Sequence, residues 1–476
     1  METTRPMVFL VYLSGGLEWV PPWHRTAPHR YPRRIKLGLH YLHSMLEAQD
    51  FDCRIFDQTI LPFALPALIA ACRQAAPLAI GFYTTFSNRD AVGAALEVFQ
   101  EQCPDLPLLC GGPGCFEAEF FLNRGCRAVA IGEGEHTLTE LLEALSDRRS
   151  LTRIQGIAYL DQSGEVVRTP PRPPIADLDS LPFPYLTPEL TEIAANQSLI
   201  GYGRQMEVIT SRGCPFRCSF CSAPRMWGQT VRQRSVSNVM AEIDEGVARC
   251  GVRFVLFIDD VFGWDADWLE EFIEAMGRRP DLRFRIIIHP LSFRENPEGV
   301  MRRLAEVGLV SFFAGLQTLE PSARRLLRRS AAEAEALVPL LAAARRNGVA
   351  SEVQYIFGLP GDTLQTYERL LEYSVSVRPN QIGGSHLIVL PGSELASVPG
   401  SELRCDLDEA ELERAVRRLF ARFNRHPRVV ANNLRFLIGR APQISPRAVM
   451  RMVGSILGRE SRSAVRSSDP GLCRSL

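Results

Sequence analysis

The sequence predicts an α/β protein of two units: a doubly wound, Rossmann-like parallel sheet over residues 1–150 and a partial barrel of six β/α repeats over residues 205–395. Three observations predict it. Strand-like runs alternate with helical stretches through both units, the pattern of parallel sheets covered by helices. One run, Met7–Leu13 (MVFLVYL), is near-continuously apolar, as a strand buried on both faces requires. Between the units stand Pro170-Pro171-Arg172-Pro173-Pro174 and Leu181-Pro182-Phe183-Pro184, a density of proline that makes a stiff, extended connection.

In the first unit, strands are expected at Met7–Leu13, Cys53–Asp57, Leu78–Thr85, Pro107–Gly112 and Ala128–Gly132. Helices are expected at Ile35–Gln49, Leu65–Gln74, Asn88–Gln102, Cys115–Asn123 and His136–Leu145. Ligands of such sheets sit at the strands' C-terminal ends. The loops there are Thr84-Thr85-Phe86-Ser87, Gly111-Gly112-Pro113-Gly114 and Gly132-Glu133-Gly134-Glu135, whose small residues permit close backbone approach. The loop after the first strand, Ser14-Gly15-Gly16-Leu17-Glu18-Trp19 and on to Arg34, carries no G-x-G-x-x-G, which argues against a nicotinamide cofactor. A small hairpin, Ile154–Leu160 with Glu165–Arg168, opens the connecting region 151–204.

In the second unit, strands are expected at Glu207–Arg212, Arg253–Asp259, Arg283–His289, Ser311–Thr318, Glu352–Phe357 and Gly384–Leu390. Helices at Ser237–Cys250, Ala266–Met276, Pro297–Val307, Ala332–Arg346 and Leu364–Val377 separate them. Six repeats fall short of a closed eight-fold barrel. Residues 396–458 read as a helical region (Asp408–Asn424, Val430–Ile438, Ser445–Leu457) that caps the open side, and residues 459–476 as a disordered tail.

Composition narrows the function. A chain of 476 residues is long for one core. Zero net charge and no basic stripe exclude nucleic acid as the natural partner. No apolar stretch is long enough to span a bilayer and no signal peptide is visible, so a cytoplasmic, reduced protein is expected. Twelve cysteines in so long a chain do not make a disulfide scaffold. Lys36 is the only lysine beside 53 arginines, so a lysine Schiff base or P-loop lysine has one possible position.

The chemistry concentrates in Cys214-Pro-Phe-Arg-Cys218-Ser-Phe-Cys221, a loop at the end of a strand. Three thiolates on one short loop can wrap a soft metal centre. Tetrahedral zinc would want a fourth ligand, and no second Cys or His pair supplies one. The C-x3-C-x2-C spacing, with aromatic Phe220 before the last cysteine, resembles the signature of radical S-adenosylmethionine (radical SAM) proteins. That resemblance implies a [4Fe-4S] cluster held by Cys214, Cys218 and Cys221, with the fourth iron open to SAM. It also places SAM contacts at Phe220, at Asp259 and Asp260 after the second strand, at Gln317 after the fourth and at Gly358 after the fifth. Leu390-Pro391-Gly392-Ser393 after the sixth strand is typical as well, and Asp362 is expected to cap a helix. By residue type alone, paired Asp259 and Asp260 suit metal binding or acid and base work, or one of them caps the next helix. Arg328 and Arg329 are candidates to pair with a SAM carboxylate but are read as solvated surface arginines, and His289, His386, Tyr355 and Glu352, candidates to act on substrate, are read as structural.

The first unit's loops, with Gly38-Leu39-His40-Tyr41-Leu42, resemble the cobalamin-binding domain that precedes many radical SAM cores. The resemblance implies cobalamin contacts at Thr84, Thr85, Ser87, Gly111, Gly112, Pro113, Gly132, Glu133 and Gly134. The D-x-H-x-x-G element that supplies a histidine ligand to cobalt is lacking, which fits cobalamin bound without one, or a domain of this shape holding no corrin. Together the two resemblances imply a class B radical SAM enzyme: SAM is cleaved to a 5′-deoxyadenosyl radical and an unactivated carbon is methylated. The substrate would be a small molecule, lipid or natural product, and a flavodoxin or ferredoxin would supply the electron. Cobalamin-dependent rearrangement, cyclisation or oxidation uses the same parts. A metal- or cobalamin-binding sensor or carrier is the non-enzymatic alternative.

Overall fold

The computed structural model describes residues 5–15, 35–195 and 202–440. The loop from Gly16 to Arg34, the helix expected over Ser445–Leu457, Cys473 and the tail 459–476 lie outside the described residues.

The first unit runs β1 (Met7–Tyr12), α1 (Leu37–Ala48), β2 (Asp52–Asp57), α2 (Leu65–Ala75), β3 (Ala79–Tyr83), α3 (Arg89–Gln102), β4 (Leu108–Gly111), α4 (Ala118–Leu122), β5 (Ala128–Ala130), α5 (Glu135–Ser146), β6 (Ile157–Leu160) and β7 (Val166–Arg168). The sheet order is β2-β1-β3-β4-β5-β6-β7. Its first five strands are parallel, and the β6–β7 hairpin adds two antiparallel strands at one edge. The hairpin therefore belongs to the first sheet, and the connection proper begins after Arg168. Alternate residues of β1 explain its continuous apolarity. Phe9 and Val11 pack with α2 and α3 on one face, while Val8 and Leu10 pack with α1 and α5 on the other. The strand order reverses between β1 and β3, where open α/β sheets form a crevice.

The connection carries α6 (Pro188–Ala195). The second unit follows as β8 (Gln205–Val208), β9 (Ser211–Arg212), α7 (Ala223–Trp227), β10 (Arg232–Gln233), α8 (Val236–Cys250), β11 (Phe254–Phe257), α9 (Ala266–Gly277), β12 (Arg283–Ile288), α10 (Pro297–Glu306), β13 (Leu309–Gln317), α11 (Pro321–Leu326), α12 (Ala331–Arg346), β14 (Ala350–Phe357), α13 (Leu364–Val377), β15 (Gln381–His386), α14 (Glu409–Arg425) and α15 (Pro427–Arg440). The sheet is wholly parallel in the order β15-β14-β13-β12-β11-β8, the sequential arrangement of an unclosed six-stranded barrel. Phe284, Ile286 and Ile288 of β12 enter the main core against the helices, and Arg283, Arg285 and Ile287 take the opposite face.

Four local readings differ from expectation. The strand expected over Glu207–Arg212 breaks at Ile209-Thr210, and β9 pairs with β10 in a separate ribbon. Neither Asp259 nor Asp260 caps α9, because Asp265 does so by accepting the Trp268 N–H. Asp362 does not cap α13, because Thr363 does. Finally, α14 and α15 lie in the helix layer rather than across the mouth: Val416, Leu419, Phe423 and Val429 join the core that α13 also fills. Among the described residues, no helix is long and apolar enough to cross a membrane.

Candidate functional site

The break after β8 builds the thiol loop. Asp259 Oδ1 accepts from Thr210 N (2.9 Å), Thr210 Oγ1 (2.7 Å), Ser211 N (2.6 Å) and Ser211 Oγ (2.8 Å), which turns the chain out of the sheet. Gly213 follows with φ +99°, where a Cβ would lie 2.2 Å from Thr230 O, so only glycine fits. Cys214, Cys218 and Cys221 are half-buried. Each sulfur faces an N–H donor: the Phe216 backbone at Cys214, Arg329 Nη1 at 3.3 Å from Cys218, and Ala223 N at 3.4 Å from Cys221. Ser219 anchors the loop from below, donating from Oγ to Leu326 O at 2.6 Å and accepting from Leu395 N at 3.0 Å. Phe220 packs on the cluster of Leu327, Ile356, Leu359 and Leu395.

Among the described residues, no three His, Cys, Asp or Glu side chains converge where one ion would sit. A mononuclear site surrounds a single point, whereas in a cubane each thiolate binds a different iron. Three sulfurs on one loop, each with an N–H donor, are the donor set that a cluster needs. Burial pushes the Cys214 thiol up to about 12 and the Cys221 thiol up to about 11.

The neighbouring strand ends close around this loop. Asp260 exposes surface to the mouth but has protein on most sides, and burial together with the Asp259 carboxylate pushes it up to about 6. Gln317 ends β13 at φ +70°, and Thr318 N donates to Leu316 O across it at 2.9 Å. This is a γ-turn of the strained, positive-φ kind, placed at a strand end where strain commonly marks function. Gly358 (φ +75°) is held by Asp362 Oδ2 and the Tyr367 hydroxyl, at 3.1 and 3.0 Å from its N–H. A Cβ there would lie 2.8 Å from Leu412 Cδ2, so the glycine makes room for α14. Tyr355 bonds Ser374 in the core, and Glu352 pairs with Arg285 at 2.8 Å.

Arg328 and Arg329 part company. Arg328 is exposed and pairs with Glu394. Arg329 is buried, which corrects the surface reading: Nε meets Glu333 Oε2 at 2.5 Å, Nη1 meets Cys218 Sγ and His289 Nε2 (2.9 Å), and Nη2 donates to Gly315 O. His289 is more than strand-end structure, since it stacks on Phe216 inside the thiol loop at 3.5 Å between ring centroids. Burial and the Arg329 charge push its pKa down to about 2, so the ring is neutral. Its Nδ1 faces Leu291 N at 3.2 Å while Nε2 faces Arg329. A neutral imidazole accepts at one of these nitrogens, not both.

In the first unit, most predicted side chains are engaged within the protein. Thr84 Oγ1 donates to Gly111 O at 2.8 Å. Thr85 Oγ1 and Ser87 Oγ lie 2.9 Å apart, and the Tyr12 hydroxyl bonds both beside the β1–β3 switch point. Lys36, the sole lysine, stands over the Tyr12 ring at 4.4 Å. Gly112 (φ +93°) is in the tight turn with Pro113, and a Cβ would meet Thr84 O at 3.0 Å. Gly111 and Gly134 keep ordinary backbone angles, and a Cβ at 134 would press on Leu42. Gly132 is different: its φ is +90° and a Cβ would meet nothing within 4 Å. The turn there is open to its surroundings, which is compatible with a corrinoid approaching backbone rather than side chains.

Glu133 faces the other unit. Its carboxylate takes Arg212 Nη1 at 2.9 Å, Arg232 Nη1 at 3.0 Å and Ile175 N at 2.6 Å, and Arg212 Nη2 reaches Glu135 at 2.6 Å. All four charged side chains are largely buried. Arg212 also lies over the rings of Tyr41 and Trp227. Phe116 of the first unit fills the space above Gly392 after β15. The strand ends of the two sheets thus meet, with the thiol loop two residues beyond Arg212.

The C-terminal ends of the two sheets' parallel strands meet beside a three-thiol loop, which defines a two-domain α/β scaffold. The B12 binding domain model matches residues 31–142 and the Radical SAM superfamily model matches residues 208–374. The chain thus carries a B12-binding domain ahead of a radical SAM domain. It is 27% identical over 350 residues to an uncharacterized methyltransferase of Pyrococcus horikoshii, covering 71% of this chain and 72% of that one. It is 27% identical over 293 residues to the cytidylyl-2-hydroxyethylphosphonate methyltransferase of Streptomyces wedmorensis, covering 52% of this chain and 55% of that one, about half its length. In fold it is similar to the radical SAM methyltransferase TsrM from Kitasatospora setae, solved with cobalamin and a [4Fe-4S] cluster, with TM-score 0.65, 20% identity, and coverage of 82% and 77% of the two chains.

Proposed function

We propose that this protein is a cobalamin-dependent radical SAM enzyme that methylates a carbon of a small-molecule, lipid or natural-product substrate. The observation that carries the reading is the thiol loop, with three N–H-facing sulfurs, locked by buried ion pairs to the glycine loop of the B12-binding domain. When bound, the cluster and SAM supply a carbon-centred radical and cobalamin supplies a methyl group. The chain's own residues do the rest. Cys214, Cys218 and Cys221 hold the cluster. Phe220, Asp260, Gln317 and the Gly358 backbone line the rim where SAM lies. Asp259 shapes the loop through its four hydrogen bonds. Gly132 leaves room for the corrinoid, with Gly111, Gly112, Pro113, Gly134, Thr84, Thr85 and Ser87 forming the surrounding turns. Glu133 acts through Arg212 and Arg232, fixing the two sites at one separation.

A flavodoxin- or ferredoxin-like carrier supplies the electron, and the cytoplasm is the compartment that keeps such a centre intact. Both names of the sequence relatives support methyl transfer. The test is anaerobic reconstitution with iron, sulfide and hydroxocobalamin, followed by SAM and a reductant. The reading predicts 5′-deoxyadenosine formation and a corrinoid absorbance that stays with the protein. A corrinoid-bound protein that never cleaves SAM is the sensor or carrier instead.

A further inference from the structure

We propose that Arg329 is a positioning residue that tunes the redox centre on the thiol loop: its guanidinium, hydrogen-bonded to the Cys218 sulfur, makes that centre easier to reduce. The inference rests on the cluster assigned above. Arg329 follows α11, whose last residue and its successor hold Ser219 of the loop through their carbonyls. Both Nη groups of its fork are hydrogen-bonded: Gly315 O takes Nη2, and Cys218 Sγ and His289 Nε2 share Nη1, while the Glu333 carboxylate pairs with Nε by charge, without hydrogen-bond geometry. The plane of the guanidinium is therefore fixed, with one N–H edge on the sulfur. Lysine offers no such planar fork.

A cationic donor on a thiolate stabilises negative charge there. Reduction adds one negative charge to the centre, so the donor favours the reduced form and raises the potential. The electron comes from a reduced one-electron carrier, which loses it; no bond forms or breaks, and Arg329 passes no proton. Glu333 opposes this effect, because its carboxylate lies 2.5 Å from the guanidinium and partly cancels its field. His289, stacked on Phe216, adds no charge to the balance. The competing account is that Arg329 only braces the loop against β13 and α12.

The two accounts differ in sign. Wild type, Arg329→Gln, Arg329→Lys and Glu333→Gln are reconstituted, their iron counted, and their clusters titrated with dithionite under EPR. The proposal predicts a lower midpoint for Arg329→Gln, a higher one for Glu333→Gln, and an intermediate one for Arg329→Lys. Midpoints that do not move, or that move the same way in the Gln variants, mark a loosened loop and overturn it. If Arg329→Gln holds no cluster, Glu333→Gln decides, and a midpoint at or below wild type overturns the proposal. A wild type that assembles no cluster fails the reading beneath it as well, whereas a wild-type cluster with unmoved variants fails this inference alone.

Discussion

The two glycine- and cysteine-bearing edges that meet at the seam are built on opposite plans. On the barrel side, side chains are presented: three sulfurs point at N–H donors, and Gly213 supplies the positive φ that turns the chain into their loop. On the B12-domain side, side chains are withdrawn. Thr84, Thr85 and Ser87 bond within their own loops, Glu133 turns to the barrel, and Gly132 is left bare. A cluster needs covalent ligands from the protein, while a corrinoid arrives with its own macrocycle and needs space. The difference teaches that the first domain's edge offers backbone and space where the barrel's edge offers side chains, and that Glu133 ties the two edges together.

The comparison breaks most sharply at Arg212. Arg212→Met leaves Glu133 and Glu135 buried with one cation fewer, and uncompensated buried charge costs about 3–5 kcal/mol. A clear fall in melting temperature is expected, and a Glu133→Gln/Glu135→Gln partner should recover part of it. Full stability in Arg212→Met alone would show that the seam holds nothing.

Asp362 sharpens the barrel side. Burial raises its pKa to about 6, above the unfolded value near 4. The folded chain therefore binds more protons between pH 4 and 6, and this group's contribution to stability falls as pH rises through that window. Asp362→Asn removes the effect while its amide oxygen still accepts from Gly358 and Leu359. Relative to wild type it should gain up to about 3 kcal/mol on going from pH 4 to pH 7. Parallel melting-versus-pH curves for the two proteins would refute this.

The glycines separate shape from turn. Gly112→Val collides with Thr84 O at an unfavourable φ, so it should lose stability whether or not cobalamin is present. Gly132→Ala meets no protein atom and costs about 1–2 kcal/mol for its backbone angle alone. Its hydroxocobalamin-induced rise in melting temperature should nevertheless shrink the more of the two. Equal binding by Gly132→Ala and wild type would move the corrinoid elsewhere.

The smallest effect per substitution is expected at the linker. Prolines at this density suggest a spacer that sets the distance between the domains. In the structure the segment is pinned along its length: Arg172 to Thr137 and Glu140, Ile175 to Glu133, Asp179 to Ser235. Replacing Pro170, Pro171, Pro173 and Pro174 by Gly and Ser should thus change stability by about 1 kcal/mol or less per site and leave 5′-deoxyadenosine formation coupled to product. Uncoupling would return the spacing role to the linker.

The elements were legible because strands alternate with helices through both units, and because β1, packed on both faces, is written as one apolar run. The thiol loop was legible because its ligands are local, within eight residues of chain. Arg329 was not, being one of 53 arginines and meeting a cysteine 111 residues away. The seam was hidden for the same reason, since Arg212 and Glu133 are 79 residues apart. Glu133 was read as a ligand contact from its place between two glycines, and a glycine loop does not reveal which way the side chain between them turns. The break after β8 was invisible because Asp259, which causes it, lies 49 residues downstream of Thr210.

The most direct test of the thiol loop is Mössbauer spectroscopy with iron counting on anaerobically reconstituted protein, in wild type and in a Cys214→Ala/Cys218→Ala/Cys221→Ala variant. One four-iron cluster per chain is predicted for wild type, with an iron-free variant that melts near the wild-type apoprotein, since the loop lies outside both cores. A variant that keeps its full iron, or a wild type that binds a single tetrahedral ion, would contradict it.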